Sequence, residues 1–216
     1  MKIIEPSFEV YEDMSDPEVT EGMLRKIELI GRTCYKSEAK ICNGSASRFV
    51  RRLVESQHEA MLEHVSITVK FTVDRGISHE LVRHRLASFA QESTRYANYA
   101  QDKFGNEIVV IQPFFLQAGS PEWFSWYDSC LKAENAYINI LNEGRTPQEA
   151  RAVLPNSLKT DIWVTCNLRE WRTILKLRAE GVTGKPHPQM AEVMVPLLKY
   201  FREHLPEVFD DIDVPE

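Results

Sequence analysis

The sequence predicts an α+β fold, because helical patterns outnumber strand patterns and the two do not alternate regularly along the chain. The clearest strand covers residues 65–73, where apolar residues from Val65 to Val73 alternate with polar ones and predict one buried face. The length of 216 residues and the 43% of hydrophobic residues predict one domain, 1–216, with a buried core. A loosely held acidic tail is expected at about 207–216.

Three elements are expected before this strand. A proline at the first helical position after Asp16, and serines ahead of an apolar run, mark two helix starts. The elements are a strand within residues 2–11, a helix from Pro17 to about Cys34, and a helix capped by Ser45 or Ser47 that runs to about Gln57. Residues 58–64 then connect to the strand.

A helix is expected directly after the strand, with Asp74 as its N-cap. Ile77, Leu81 and Ser88 recur at helical spacing, so this helix should bury one side and end near Ser88. Proline, glycine and apolar periodicity predict the later elements. These are a polar turn region at 98–106, a short strand or buried segment at 108–111, a long helix from Ser120 to Gly144, a short helix from Pro147 stopped by Pro155, a strand at 162–166, a helix at 168–178 broken by Gly181, and a final helix whose apolar side includes Met190 to Leu198.

The stretch from Arg83 to Tyr96 concentrates polar chemistry, with three arginines, His84, two serines and a threonine. A turn containing Ser93 and Thr94 is expected to bring Arg95 back after the helix. Guanidinium groups, hydroxyls and free backbone N–H groups are what a phosphate dianion requires. The alternative is a solvated basic helix face with a serine and threonine turn.

Composition and spacing argue against several other classes of function. The net charge of −6 disfavours a general nucleic-acid binder. The chain has no glycine-rich dinucleotide motif and no Walker-type loop, so no Rossmann-type crevice is expected. His58 and His64 lack the spacing of a zinc helix, because Leu62 stands four residues after His58, and no metal is expected.

The spacing of the cysteines and the length of the apolar runs suggest where in the cell the protein is located. The four cysteines are scattered and form no Cys-x-x-Cys pair, so free thiols in a reducing cytoplasm are expected. The N-terminus does not resemble a signal peptide, and no apolar run is long enough to span a bilayer. No association with a membrane is therefore expected.

Further arginines occur late in the chain. Arg169 and Arg178 lie nine residues apart on one predicted helix, which places them on opposite sides at 3.6 residues per turn. They could serve two ligands, or ligands in neighbouring subunits. Together with Arg151 and the earlier cluster, they suggest a site that binds two anionic molecules.

Five segments in the right order resemble the flavin-dependent thymidylate synthases. The most specific is Arg83-His84-Arg85, followed after seven residues by Ser93, which matches the signature of that family. The others, which extend the resemblance from about His58 to about Glu192, are His58 with Glu63-His64, Ala150-Arg151 before Leu154-Pro155, Asn167-Leu168-Arg169 with Arg178, and His187 with Gln189 and Glu192.

The resemblance implies a fold, a reaction and an assembly. The fold would be a central, mostly antiparallel sheet flanked by helices. The reaction would be the methylation of dUMP to dTMP, with FAD as prosthetic group, methylenetetrahydrofolate as carbon donor and NADPH as reductant. The assembly would be a homotetramer whose active sites combine residues of several subunits.

The resemblance also assigns roles to residues. Flavin contacts fall on Arg83, His84, Arg85, Ala60, Glu63, Gln91, Asn167, Arg169 and Thr173. Contacts to dUMP fall on Glu80, Leu81, Val82, Arg83, Gln91, Glu92, Ser93, Thr94, Arg95, Arg151 and Arg178. The implied catalytic residues are Arg178, at the uracil ring, and His58, near flavin and folate. Ala60 and Thr173 depart from the hydroxyl residue and the asparagine that are common there.

Two alternatives remain open on the sequence alone. One keeps the fold and the flavin but hydroxymethylates a pyrimidine nucleotide. The other is a non-catalytic nucleotide- or RNA-binding module that uses the arginines and Tyr96 for phosphate and base contacts.

Overall fold

A computed structural model describes residues 1–101 and 105–214. The chain divides into two compact units. The first unit comprises Met1–Ser7, Phe71–Arg83 and Phe89–Trp163, and the second comprises Phe8–Lys70, His84–Ser88 and the chain from Val164 onward. The prediction of one domain over 1–216 stays a prediction.

The described residues form fourteen α-helices and strands. In chain order they are β1 (Lys2–Ile4), β2 (Ser7–Val10), α1 (Pro17–Thr33), α2 (Ser45–Glu55), β3 (Ser66–Asp74), α3 (Arg75–Leu81), β4 (Ala87–Gln91), β5 (Val109–Ile111), α4 (Pro121–Asn142), α5 (Pro147–Ala150), β6 (Lys159–Asn167), α6 (Leu168–Leu175), α7 (Pro188–His204) and α8 (Pro206–Phe209). Tighter 3₁₀ turns cover Glu38–Lys40, Glu59–His64 and Arg151–Val153, and a wider π-helical turn covers Lys176–Glu180.

The larger sheet has the strand order β2-β3-β6-β4. Strands β3 and β6 are antiparallel, because the hydroxyls of Thr68 and Thr165 meet at 2.9 Å and Thr72 donates to Asp161 at 2.7 Å, so that residue numbers rise on one strand as they fall on the other. Strands β1 and β5 form a separate parallel pair. The predicted α+β class with a mainly antiparallel central sheet is confirmed.

Each unit has its own buried core. In the second unit the alternation predicted for β3 buries Ile67 and Val69, and the indole N–H of buried Trp171 on α6 donates to the Ile67 carbonyl oxygen at 2.9 Å. The core of the first unit collects aromatic and aliphatic residues of α4 and of the segments around it. Its buried members are Ala97, Tyr99, Ile108, Val110, Cys130, Tyr137, Ala150 and Leu158.

The helix after β3 is shorter than expected. Asp74 caps it as predicted, since its carboxylate accepts from the Ile77 N–H at 2.7 Å, but α3 ends at Leu81. Residue Ser88 therefore does not face inward from a helix; it is exposed on β4. Pairing of β4 in the sheet, which the sequence does not reveal, overrides the weak helical spacing.

Three other expectations need correction. Gly44, at φ 69°, is the N-cap of α2 in place of Ser45 or Ser47, because the Ser45 hydroxyl bonds to Glu28 at 2.8 Å. The helix predicted for 168–178 changes at Leu175 into the π-helical turn. The acidic tail is not loose over residues 207–212. Its buried side chains are Val208, Phe209 and Ile212.

The one strand expected within residues 2–11 is two short strands, β1 and β2, which belong to different sheets. Val109–Ile111 forms the strand expected within 108–111, Ser120 caps α4, and Gly144 follows that helix at φ 84°. Of the polar region at 98–106, residues 102–104 lie outside the described residues. Among the described residues, no helix combines the length and the apolar character that crossing a bilayer requires.

Candidate active site

The turn after β4 carries groups predicted to bind phosphate, and we call residues 93–97 the Ser93 turn. The backbone N–H groups of Tyr96 and Ala97 donate to the Ser93 carbonyl oxygen at 3.2 and 3.0 Å. The Arg95 N–H donates to Ser93 Oγ at 3.3 Å. The side chains of Arg95 and Tyr96 are exposed, with the guanidinium carbon 5.5 Å from the ring centre. The predicted turn is therefore confirmed, and its cation faces solvent.

Arg151 lies beside the Ser93 turn although it is distant in sequence. It follows α5, whose start is fixed by a capping box between Thr146 and Glu149. Its Nη1 donates to Oγ1 of buried Thr94 at 3.3 Å. Two guanidinium groups, those of Arg95 and Arg151, are thereby attached to one turn, which is the combination that a phosphate dianion favours.

A charged network holds the residue just before the turn. Glu92 accepts hydrogen bonds from Lys159 at 3.0 Å and from the Tyr99 hydroxyl at 3.2 Å. Lys159 also reaches Asp161 at 2.5 Å. Burial and then the Glu92 carboxylate raise the pKa of Tyr99. Burial lowers the pKa of Lys159, but its bonds to Asp161 and Glu92 outweigh this and raise it. Glu92 is therefore fixed by contacts within the first unit.

The network borders an open cleft of about 680 Å³ in the first unit. Ser93 and Tyr96 of the turn line it together with Glu92 and Lys159. Its volume lies within the usual range for small-molecule sites. The cleft therefore offers room for a ligand beside the Ser93 turn.

The other predicted nucleotide residues of the first unit differ in availability. Gln91 donates to the hydroxyls of Ser78 at 2.8 Å and Thr160 at 3.2 Å. Leu81 is buried in the core, with 2% of the residue exposed. The last turn of α3 and the residues after it carry the remaining nucleotide-binding candidates. Among these, Glu80 is half-buried, whereas Val82 and Arg83 are exposed.

In the second unit, His84 joins two groups that are far apart in sequence. It is buried, with 7% of its surface exposed. Its Nε2 accepts from the Nε–H of Arg178 at 3.1 Å. On the other side of the ring, Nδ1 lies 3.8 Å from Oε1 of buried Glu170. The π-helical turn presents Arg178, and such turns are frequent at functional sites.

His84 is uncharged at neutral pH. Burial, followed by the charge of Arg178, lowers the pKa of His84 from 6.5 to about 4. Burial also raises the pKa of Glu170. The contact between them is therefore not an ion pair. Because Nε2 accepts a hydrogen bond, it carries no proton, and we assign the ring proton to Nδ1, on the side of Glu170.

The burial of His84 predicts that the stability of the protein depends on pH. Since the folded chain protonates His84 only near pH 4, the unfolded chain takes up this proton first as pH falls below about 6.5. The contribution to the free energy of unfolding is present above pH 6.5 and falls by up to about 3 kcal/mol toward pH 4. Urea unfolding from pH 7 to pH 4 should show a smaller decrease for His84→Gln, which retains an acceptor for Arg178. His79→Gln, at an exposed histidine, is the matched control, and equal slopes for His84→Gln and the unmodified protein would contradict the prediction.

The flavin candidates around residues 58–64 lie at the surface of the second unit. His58, Ala60 and Glu63 are exposed. Glu63 accepts from the exposed guanidinium of Arg169 at 2.5 Å. The structure thus brings two of the predicted flavin residues, from distant segments of the chain, into contact.

The other flavin candidates are partly engaged by their own helix. Asn167 caps α6, because its side-chain oxygen accepts from the Glu170 N–H at 2.9 Å. The Thr173 hydroxyl donates to the Arg169 carbonyl oxygen at 3.2 Å. The amide NH₂ group of Asn167 remains available as a donor, and Arg85 is exposed.

Sequence reasoning missed the groups that hold these candidates. Glu170 was not singled out, because only the fold brings it to His84. Lys159 and Asp161 were missed for the same reason, although a charged pair two residues apart on β6 places both side chains on one face. Among the described residues, no group of three or more histidine, cysteine or acidic side chains could hold a metal ion.

Comparison with known proteins identifies the family of this chain. The family model described as thymidylate synthase complementing protein matches residues 18–207. The flavin-dependent thymidylate synthase of Corynebacterium aurimucosum is 35% identical over 92% of this chain and 85% of its own length. The chain belongs to the flavin-dependent thymidylate synthase family. The predicted family and enzyme class are confirmed.

Other members of the family and one solved structure extend the comparison. The flavin-dependent thymidylate synthase of Mycobacterium tuberculosis is 29% identical, covering 87% of this chain and 79% of its own. The crystal structure of the UMP/dUMP methylase PolB from Streptomyces cacaoi, bound with 5-Br dUMP, superposes with a TM-score of 0.76. It covers 97% of this chain and 96% of its own at 20% identity, so it supports the fold.

Proposed function

We propose that this flavin-dependent thymidylate synthase methylates dUMP to dTMP, using FAD, methylenetetrahydrofolate as carbon donor and NADPH as reductant. We also propose a homotetramer with shared active sites and a cytoplasmic location, which suits its four free cysteines. The observation that carries the proposal is the Ser93 turn, which bears the exposed guanidinium of Arg95 and whose Thr94 hydroxyl accepts from Arg151 at 3.3 Å. A nucleotide monophosphate supplies the dianion that such a turn favours.

Each end of dUMP would require a different kind of residue. The Ser93 turn would bind the phosphate. At the ring, transfer of a carbon unit to C5 builds negative charge on the uracil, and the guanidinium of Arg178 would stabilise that charge at N3 and O4. His84 fixes Nε of Arg178, so the two Nη groups of Arg178 are the part that would face the ring.

The donor set of the second unit fits an anionic cofactor such as FAD. Arg85 and Arg169 are exposed guanidinium groups, and Asn167 has donors left after capping α6. These residues would hold the flavin, with His58, Ala60, Glu63 and Thr173 at the neighbouring surface. When bound, the flavin supplies the hydride, and the protein supplies position and electrostatics.

The buried cysteines do not provide a nucleophile of their own. Burial raises the pKa of the thiols of Cys130 and Cys166. A raised pKa keeps each thiol protonated at neutral pH, whereas nucleophilic attack on the uracil ring would require a thiolate. A reaction driven by flavin and arginine is consistent with this.

Product analysis tests the proposal. Purified protein should be yellow, and incubation with dUMP, methylenetetrahydrofolate and NADPH should give a product that matches dTMP by mass spectrometry. Omission of each component in turn provides the controls. A product carrying a hydroxymethyl group would overturn the assigned reaction in favour of the related alternative, and a colourless, inactive protein would favour a nucleotide-binding module.

The phosphate role of Arg95 gives a separate prediction. Arg95→Ala should weaken dUMP binding about 10- to 100-fold, since a hydrogen bond to a charged group contributes about 1.5–3 kcal/mol. Titration calorimetry with the flavin-loaded protein measures this. Arg145→Ala is the matched control, because Arg145 is also an exposed arginine of the first unit and its ion pair with Glu149 is long, at 3.7 Å. Unchanged affinity in Arg95→Ala would contradict the assignment.

A further inference from the structure

Glu170 is a buried carboxylate with no part in the roles assigned so far. Only 7% of the residue is exposed. It occupies the first turn of α6, where the Asn167 cap holds its backbone N–H at 2.9 Å. Its Oε1 faces Nδ1 of His84 at 3.8 Å. A carboxylate buried beside an uncharged ring makes no ion pair there, so its placement calls for another explanation.

The direction of the hydrogen bonds supplies that explanation. Arg178 Nε can only donate, so Nε2 of His84 must accept. A neutral imidazole that accepts at Nε2 carries its proton at Nδ1. An acidic oxygen beside Nδ1 favours this tautomer, as carboxylates do for histidines in other catalytic sites. The opposite tautomer would place the Nε2–H of His84 against the Nε–H of Arg178, and both would be donors.

We propose that Glu170 is a positioning residue, which holds the proton of His84 on Nδ1 and thereby fixes the guanidinium of Arg178. The inference rests on the proposed role of Arg178 at the uracil ring. The π-helical turn increases the need for such support, because Arg178 projects from a segment that departs from regular α-helical geometry. The hydrogen bond to His84 restrains Nε of Arg178 and thereby limits rotation of its guanidinium away from the uracil ring.

Two substitutions at Glu170 separate positioning from packing. Glu170→Leu removes, at similar volume, the acidic oxygen that lies 3.8 Å from Nδ1. We expect kcat for dTMP formation to fall about 10- to 100-fold, the range found when a group that orients a metal-bound histidine is lost. Glu170→Gln retains an acceptor oxygen and should keep kcat close to that of the unmodified enzyme. Flavin content is measured in both variants and kcat is expressed per bound flavin, because His84 is itself among the residues that the family resemblance assigns to the flavin.

A spectroscopic measurement tests the tautomer directly. In the flavin-loaded, unmodified protein labelled with ¹⁵N-histidine, the His84 signals should show a protonated Nδ1 and an unprotonated Nε2; His84→Gln assigns these signals. Glu170→Leu should shift them toward the opposite tautomer, whereas Glu170→Gln should not.

The outcomes distinguish the inference from the proposed function. A protonated Nε2 in the unmodified protein would overturn the inference, even if Glu170→Leu failed to fold. So would a Glu170→Leu enzyme with unchanged kcat. If the unmodified enzyme made no dTMP while His84 showed the expected tautomer and the expected shift in Glu170→Leu, the proposed function would fail and the positioning of Arg178 would stand.

Discussion

Replacement of Arg178 by alanine should lower kcat for dTMP formation by about 100- to 1,000-fold while the flavin stays bound. One preorganised donor aimed at developing charge contributes roughly 3–4 kcal/mol to transition-state stabilisation. Arg178 is suited to that role, because its Nε is tied to buried His84 at 3.1 Å and its guanidinium is therefore held in place. Single-turnover assays with dUMP and folate, together with flavin absorbance of the purified variant, measure both parts of the prediction.

Arg178→Lys separates charge from geometry. It keeps a cation but loses the planar fork and the Nε donor, so its kcat should fall less than that of Arg178→Ala without reaching the unmodified value. The oligomeric state should be the same in all three proteins. If Arg178→Ala lost flavin in proportion to activity, the residue would belong to the flavin site and not to the uracil ring.

Local patterns in the sequence were sufficient to predict most of the fold. The alternation from Val65 to Val73 identified β3, and Asp74 and Ser120 were recognised as helix caps, because each acts through neighbours in the chain. The segment from Arg83 to Gln91 could not be predicted in this way. Its partner strand β6 lies about 70 residues later, so its strand character depends on a pairing that local spacing does not encode.

The candidate site shows the same division. Residues predicted to contact ligands carry a recognisable signature, and Arg83-His84-Arg85 with Ser93 stands out in the sequence alone. The residues that hold these ligand-contacting side chains in place carry no such sequence signature. Glu170 beside His84, and Lys159 beside Glu92, look like ordinary surface charges in the sequence. Only tertiary packing shows that they are buried or paired.

The C-terminal segment illustrates why charge alone misled the prediction. Its acidic residues suggested a solvated tail, but Asp211 pairs with a nearly fully buried arginine. Arg172 is 2% exposed, and its guanidinium contacts both carboxylate oxygens of Asp211 at 2.6 and 2.7 Å, Glu59 at 2.9 Å and the Val208 carbonyl oxygen. Burial alone would raise the pKa of Asp211, but its bonds to Arg172 outweigh this and lower it. The segment is therefore anchored by an ion pair.

Asp211→Asn should lower the free energy of unfolding by about 2 kcal/mol, because it removes the bidentate partner of the buried Arg172 guanidinium, which keeps only Glu59 and the Val208 carbonyl oxygen among the partners named above. This lies within the roughly 1.5–3 kcal/mol of a hydrogen bond to a charged group and below the cost of an unpaired buried charge, since 42% of the Asp211 side chain is exposed. Asp210→Asn, at the adjacent position, is the matched control: its ion pairs with Arg51 and Arg202 are long, at 3.5 and 3.7 Å, and should contribute less than about 1 kcal/mol. Urea unfolding at neutral pH and moderate salt compares the two variants. Equal losses of stability would mean that Arg172 does not depend on Asp211, and that the buried apolar residues of the segment hold it in place without the ion pair.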